Sequence, residues 1–83
     1  MDKATFIAWA ETMGYTMDKY GHMQRDYQGT KYRFKIQSHS VRYEIQIRHS
    51  ATDYSPAQNE WVRRNSGYLK DMSITADSKL KFK

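Results

Sequence analysis

Eighty-three residues with no cysteine leave room for one small domain and exclude a disulfide scaffold, a thiolate zinc site and a cysteine nucleophile. A mean hydropathy of -0.97 and the lack of any run near the roughly 18 apolar residues of a membrane span exclude a membrane helix. The polar start MDKATFIAWAET argues against a secretory leader, so a cytoplasmic location is expected, and seven Tyr, three Phe and two Trp are the means of filling a small core.

The first predicted element is a helix. Asp2 is a favourable N-cap, and Phe6, Trp9, Ala10 and Met13 recur at i, i+3, i+4 and i+7 as one apolar stripe. Gly14 follows where a left-handed C-terminal cap wants a glycine. Such a helix needs an apolar surface to lie on, and the next segments supply one.

A strand is predicted over 20–27, where Met23, Arg25 and Tyr27 alternate with His22, Gln24 and Asp26, followed by a turn at Gln28-Gly29-Thr30. Residues 30–49 alternate almost without a break. Tyr32, Phe34 and Ile36 share one side with Val41, Tyr43, Ile45 and Ile47; Lys31, Arg33 and Lys35 share the other with Arg42, Glu44, Gln46 and Arg48. A tight turn at Ser38-His39 pairs Ile36 with Val41, Phe34 with Tyr43 and Tyr32 with Ile45, although a longer loop of the same parity serves equally.

Ser55-Pro56-Ala57-Gln58 has the form of a capping box with proline at N1, and Gly67 follows as a stop signal, so a second short helix is predicted over 56–65. The competing reading is a strand through Trp61-Val62-Arg63. Residues 68–74 read as a strand, Thr75-Ala76-Asp77-Ser78 as a turn, and 79–82 as a last strand with Leu80 and Phe82 inward. The expected fold is therefore α+β, a single domain over 1–83 with an N-terminal helix packed on an antiparallel sheet of three to five strands.

The net charge of +5 is concentrated rather than spread: residues 31–50 set Lys31, Arg33, Lys35, Arg42 and Arg48 against Glu44 alone. In the predicted register Arg33 opposes Glu44, an ordinary ion pair, but Lys35 opposes Arg42, and like charges directly across a ladder are destabilising by roughly 0.2–1 kcal/mol. Solvent-facing strand positions tolerate long cations, and lysines discourage edge-to-edge aggregation. An anionic partner would instead turn the repulsion into attraction. The sheet aromatics Tyr32, Phe34 and Tyr43 belong under the helix and not on a base-stacking face, and Trp61, Tyr54 and Tyr68 are expected in the core more than at a ligand. Contacts to nucleic acid would therefore fall mostly on the phosphate backbone.

Chemistry is thinly represented. His22, His39 and His49 share no helix face and match no ligand motif, Gly14, Gly21, Gly29 and Gly67 build no phosphate loop, and no cofactor or metal is expected. A helix, a strand containing Gly21-His22, a glycine turn at Gly29, a second strand and a later helix together resemble the small HicA-type toxins over residues 4–66. The resemblance implies a double-stranded-RNA-binding-like fold and RNA cleavage by His22; the serine that family carries between glycine and histidine is absent.

The expected function is a non-enzymatic binding module using Lys31, Arg33, Lys35, Arg42 and Arg48, with Arg63 and Arg64, against an anionic partner: nucleic acid first, an acidic protein surface second. The alternative is a small protein-binding inhibitor or accessory factor of phage or mobile-element type, such as an antagonist of host defence. A HicA-like RNase comes last.

Overall fold

A computed structural model of the protein describes residues 1–82. The chain runs α1 (Lys3–Thr12), β1 (Thr16–Met17), β2 (Met23–Tyr27), β3 (Thr30–Ile36), β4 (Ser40–His49), β5 (Gln58–Tyr68), a single 3-10 turn (Leu69–Asp71), β6 (Ser73–Ile74) and β7 (Leu80–Lys81). Strands β1 to β5 form one antiparallel sheet in sequence order, and β6 and β7 form a second, two-stranded one. The α+β class and the helix-on-sheet arrangement are as the sequence predicts.

The helix begins as its cap residue dictates. Asp2 Oδ1 accepts from the Thr5 N–H at 2.8 Å, satisfying one of the donors a helix start leaves open. It ends at Gly14, whose φ of +92° is the left-handed conformation that lets the chain reverse, with the Tyr15 N–H returning to the Ala10 carbonyl at 3.0 Å. Phe6 and Ala10 are wholly buried, and Phe34 of β3 is the hub on which the aromatic rings of the core converge. The Phe34 ring lies 5.1 Å from Phe6, edge on, 5.8 Å from Trp9, 4.8 Å from Tyr15 and 5.0 Å from Tyr43. Edge and tilted contacts of this kind add to the area each ring removes from water. Met23, Val41, Leu69 and Met72 complete the core. Trp9 also binds the second sheet, its indole N–H donating to the Ser78 carbonyl at 2.8 Å.

The predicted hairpin register holds: Ile36 pairs with Val41, Phe34 with Tyr43, Tyr32 with Ile45, and Lys35 with Arg42. Four expectations need correction. The predicted strand over 20–27 starts only at Met23, because residues 18–22 form a turn that connects it to an unforeseen β1. Asp18 Oδ1 accepts from the N–H groups of Tyr20 and His22 at 2.8 and 2.9 Å, and Gly21 takes a φ of +80°.

The helix predicted over 56–65 does not form; β5 occupies that stretch. Residues 58–68 supply backbone partners to ten residues of β4, whose N–H and C=O groups would otherwise end at a bare edge. That demand outweighs the local capping signal, and Ser55 is engaged instead by Thr52 in the loop before the strand. Gly67 is accordingly no helix stop. It lies within β5, where an added Cβ would come 2.9 Å from the Phe82 carbonyl oxygen, so its bareness admits the C-terminal segment. Finally, 68–74 is not one strand but the end of β5, the 3-10 turn and β6.

Candidate functional site

Alternation along the strands sorts the sheet's two faces. Opposite the helix-covered face lie Gln24 of β2, then Lys31, Arg33 and Lys35 of β3, then Arg42, Glu44, Gln46 and Arg48 of β4, as the ladder partners Gln24–Arg33, Arg33–Glu44 and Lys35–Arg42 require. Strand β5 extends this face with Arg63 beside Glu44, Trp61 beside Gln46, Asn59 beside Arg48 and Ser66 beside Arg42. β4 and β5 slip register between Tyr43 and Glu44, which leaves Arg64 as the extra residue of a β-bulge next to Arg63.

The cations on this face fall into two kinds. Arg33 is committed within the protein. Its Nε and Nη2 donate to Glu44 Oε1 at 3.0 and 2.7 Å, its guanidinium carbon lies 4.0 Å above the Trp61 ring, and its side chain is only 17% exposed. A charge held by both a carboxylate and an indole face has little left to offer a partner. Lys31, Lys35, Arg42, Arg48, Arg63 and Arg64 are different: among the described residues none of them makes a salt bridge. Asp26 is the ladder partner of Lys31. Lys35 and Arg42 face each other with no carboxylate in their row, since Ser66 follows Arg42. An open depression lined by Arg42, Arg63, Ser66, Asp71 and Phe82 adjoins them.

Trp61 is what the sequence reading placed least well. It is half-buried on the outer face and not in the core, and Tyr54 and Tyr68, also expected inside, are exposed. Recognising β5 as a strand was the missing step: the alternation of Asn59, Trp61 and Arg63 would then have put Trp61 among the cations.

The three histidines have different surroundings. His22 Nδ1 accepts the Ile36 N–H at 3.0 Å, so the ring replaces a backbone carbonyl where β2 falls short of the end of β3, and a neutral ring carries its proton on Nε2. The nearby Asp18 carboxyl is pulled both ways. Burial raises its pKa, but the His22 and Tyr20 N–H groups favour the carboxylate more and hold it below the usual range. His49 pairs with Glu60 at 2.6 Å, both well exposed, and His39 is exposed beside the 3-10 turn. Among the described residues no three His, Asp or Glu side chains gather in a way that could hold a metal ion, and no helix is long and apolar enough to cross a membrane. The later helix that the HicA resemblance requires is replaced by β5. No known family, curated protein or solved structure matches the chain.

Proposed function

We propose that the protein is a non-catalytic binding module whose bare sheet face engages a polyanion, with nucleic acid as the partner. The observation that carries this reading is the Lys35–Arg42 ladder pair, two cations held face to face with no ion-pair partner among the described residues, inside a field formed by Lys31, Arg48, Arg63 and Arg64. A sheet gains nothing in stability from opposing like charges. A phosphate backbone removes the repulsion and releases condensed counterions as it binds. Arg33 acts in this reading as a strut that fixes the face, since Glu44 and Trp61 already hold it.

Fluorescence anisotropy with labelled duplexes tests the proposal. Affinity should fall about a thousand-fold between roughly 50 and 200 mM salt if some six cations contact phosphates. The double reversal Lys35→Glu with Arg42→Glu should abolish binding while circular dichroism and melting stay as in the wild type. Absence of binding at low salt, or binding indifferent to the double reversal, overturns the reading. A nuclease-treated pull-down that returns a stoichiometric acidic protein would then assign the face to a protein partner.

A further inference from the structure

The sheet does not end evenly. The ladder between β3 and β4 closes with Tyr32–Ile45, but β4 and β5 continue together through Gln46–Trp61, Ile47–Glu60, Arg48–Asn59 and His49–Gln58. Those four pairs and the loop of residues 50–57 form a two-stranded arm whose base, Gln46 and Trp61, lies beside Lys31 and Arg33 of β3 and whose outer pairs run past the end of the β3 ladder; the molecule measures 48 by 24 by 23 Å. At about 3.3 Å per residue the paired part alone is roughly 13 Å long. The tip is ordered by its own contacts: the Thr52 N–H donates to the Ser55 carbonyl at 2.8 Å, the Thr52 hydroxyl accepts from the N–H groups of Tyr54 and Ser55, and Tyr54 stands 99% exposed.

The arm's two faces differ. One carries Ile47, His49 and Glu60, with the His49–Glu60 pair at 2.6 Å. The other continues the basic face and carries Gln46, Arg48 and Asn59. These three converge with Lys31 around one open depression of about 390 Å³, whose lining among the described residues holds no carboxylate. Arginine, glutamine and asparagine are the side chains that read bases by paired hydrogen bonds, arginine to guanine and the two amides to adenine.

Resting on the nucleic-acid reading above, we propose that the β4–β5 arm is a major-groove reader of duplex DNA. Gln46, Arg48 and Asn59 contact base edges while Lys31, Lys35, Arg42, Arg63 and Arg64 take the flanking phosphates. The dimensions agree. The major groove of B-form DNA, about 12 Å wide, admits a two-stranded ribbon lying along it with the face of Gln46, Arg48 and Asn59 turned to the base edges. The A-form major groove is too deep and narrow for side chains to read, so duplex RNA does not fit. Glu60 lies on the far side of the ribbon, already paired, where it does not face the bases. At about 3.4 Å per base pair the ribbon spans some four base pairs.

Selection from a pool of random-sequence DNA duplexes is the test, followed by anisotropy on the selected duplex, a scrambled duplex and an RNA duplex of the selected sequence. The wild type should enrich a short motif and bind the selected DNA best. Arg48→Lys keeps the charge but loses the two-pronged contact, and should shrink the ratio of selected to scrambled affinity about ten-fold; Asn59→Ala should do the same. Binding to duplex DNA without enrichment, an undiminished ratio in both variants, or preference for the RNA duplex overturns the arm proposal and leaves the basic face standing. Loss of all nucleic-acid binding by the wild type at low salt overturns both. Both positions lie outside the core, so unchanged melting confirms that any loss is one of recognition.

Discussion

The two faces of this sheet are made by the same strands, residue by alternate residue, and they solve opposite problems. At the centre of the covered face the side chains are packed together: Phe34 touches four rings, and Met23 and Val41 are wholly buried. On the bare face one row, Gln24–Arg33–Glu44–Arg63, contains the buried carboxylate of Glu44, and the cations of the rows beside it make no salt bridge among the described residues. Stability is thus concentrated on one face and in one row of the other. The remaining cations are free to respond to something outside the molecule, and substitutions on the two faces should differ in kind as well as in size.

The largest effect belongs to the covered face. Phe34→Ala removes the hub on which Phe6, Trp9, Tyr15 and Tyr43 converge, and a loss of about 3–5 kcal/mol is expected for an aromatic truncated in a core. That approaches the whole stability of a small domain, so urea unfolding should show little or no native baseline. A midpoint close to wild type would mean the helix does not depend on this ring.

Next is the committed row. Glu44→Gln leaves Arg33 partly buried with half its interactions gone. The side chains are 17% and 9% exposed, so about 2 kcal/mol is expected, less than for a fully buried pair that loses one partner. A double-mutant cycle with Arg33→Gln should return most of that loss as coupling; additive losses would show that Glu44 and Arg33 act separately.

Smaller again is the turn that sets the start of β2. Asp18→Ala removes the acceptor of two backbone N–H groups and should cost about 1 kcal/mol at neutral pH. The sign of its pH dependence follows from the lowered pKa in the folded state. The stabilisation is complete above the unfolded carboxyl value near 4 and fades as pH falls through the lower folded value. The gap between wild type and variant should therefore close in acid, as read from melting temperatures between neutral pH and about pH 2. A gap that persists there would show the turn does not depend on the carboxylate.

The elements that were legible in the sequence are those whose evidence is local. Asp2, the stripe from Phe6 to Met13 and Gly14 define α1 within a dozen residues, and the alternation of 30–49 defines both the hairpin and its register, since a slip by one residue would expose every apolar side chain. What was not legible depends on a distant partner. Ser55 to Gln58 carries the marks of a helix start, and only the unpaired edge of β4 makes residues 58–68 a strand. With β5 went the positions of Trp61 and Arg63 and the arm itself. A signal did exist: the alternating run from Val41 to Arg48 is longer than the stretch β3 can cover, and an uncovered edge calls for another strand. The committed role of Arg33 was half readable, because Glu44 stands opposite it in the hairpin while the indole arrives from β5.

The smallest effect on stability is the one that best separates the faces. Lys35 faces Arg42 across the ladder and makes no ion pair among the described residues. Replacing it by glutamine removes a repulsion and no favourable contact, so Lys35→Gln should raise stability by about 0.2–1 kcal/mol. The same change deletes one phosphate contact, so affinity for a labelled duplex should fall and the slope of log affinity against log salt should flatten by about 0.9. Opposite signs in the two measurements are the mark of a residue kept for a partner and not for the fold. A lowered urea midpoint would place Lys35 among the structural residues of its face. Raised stability with unchanged affinity would show that the cations on this face only meet solvent.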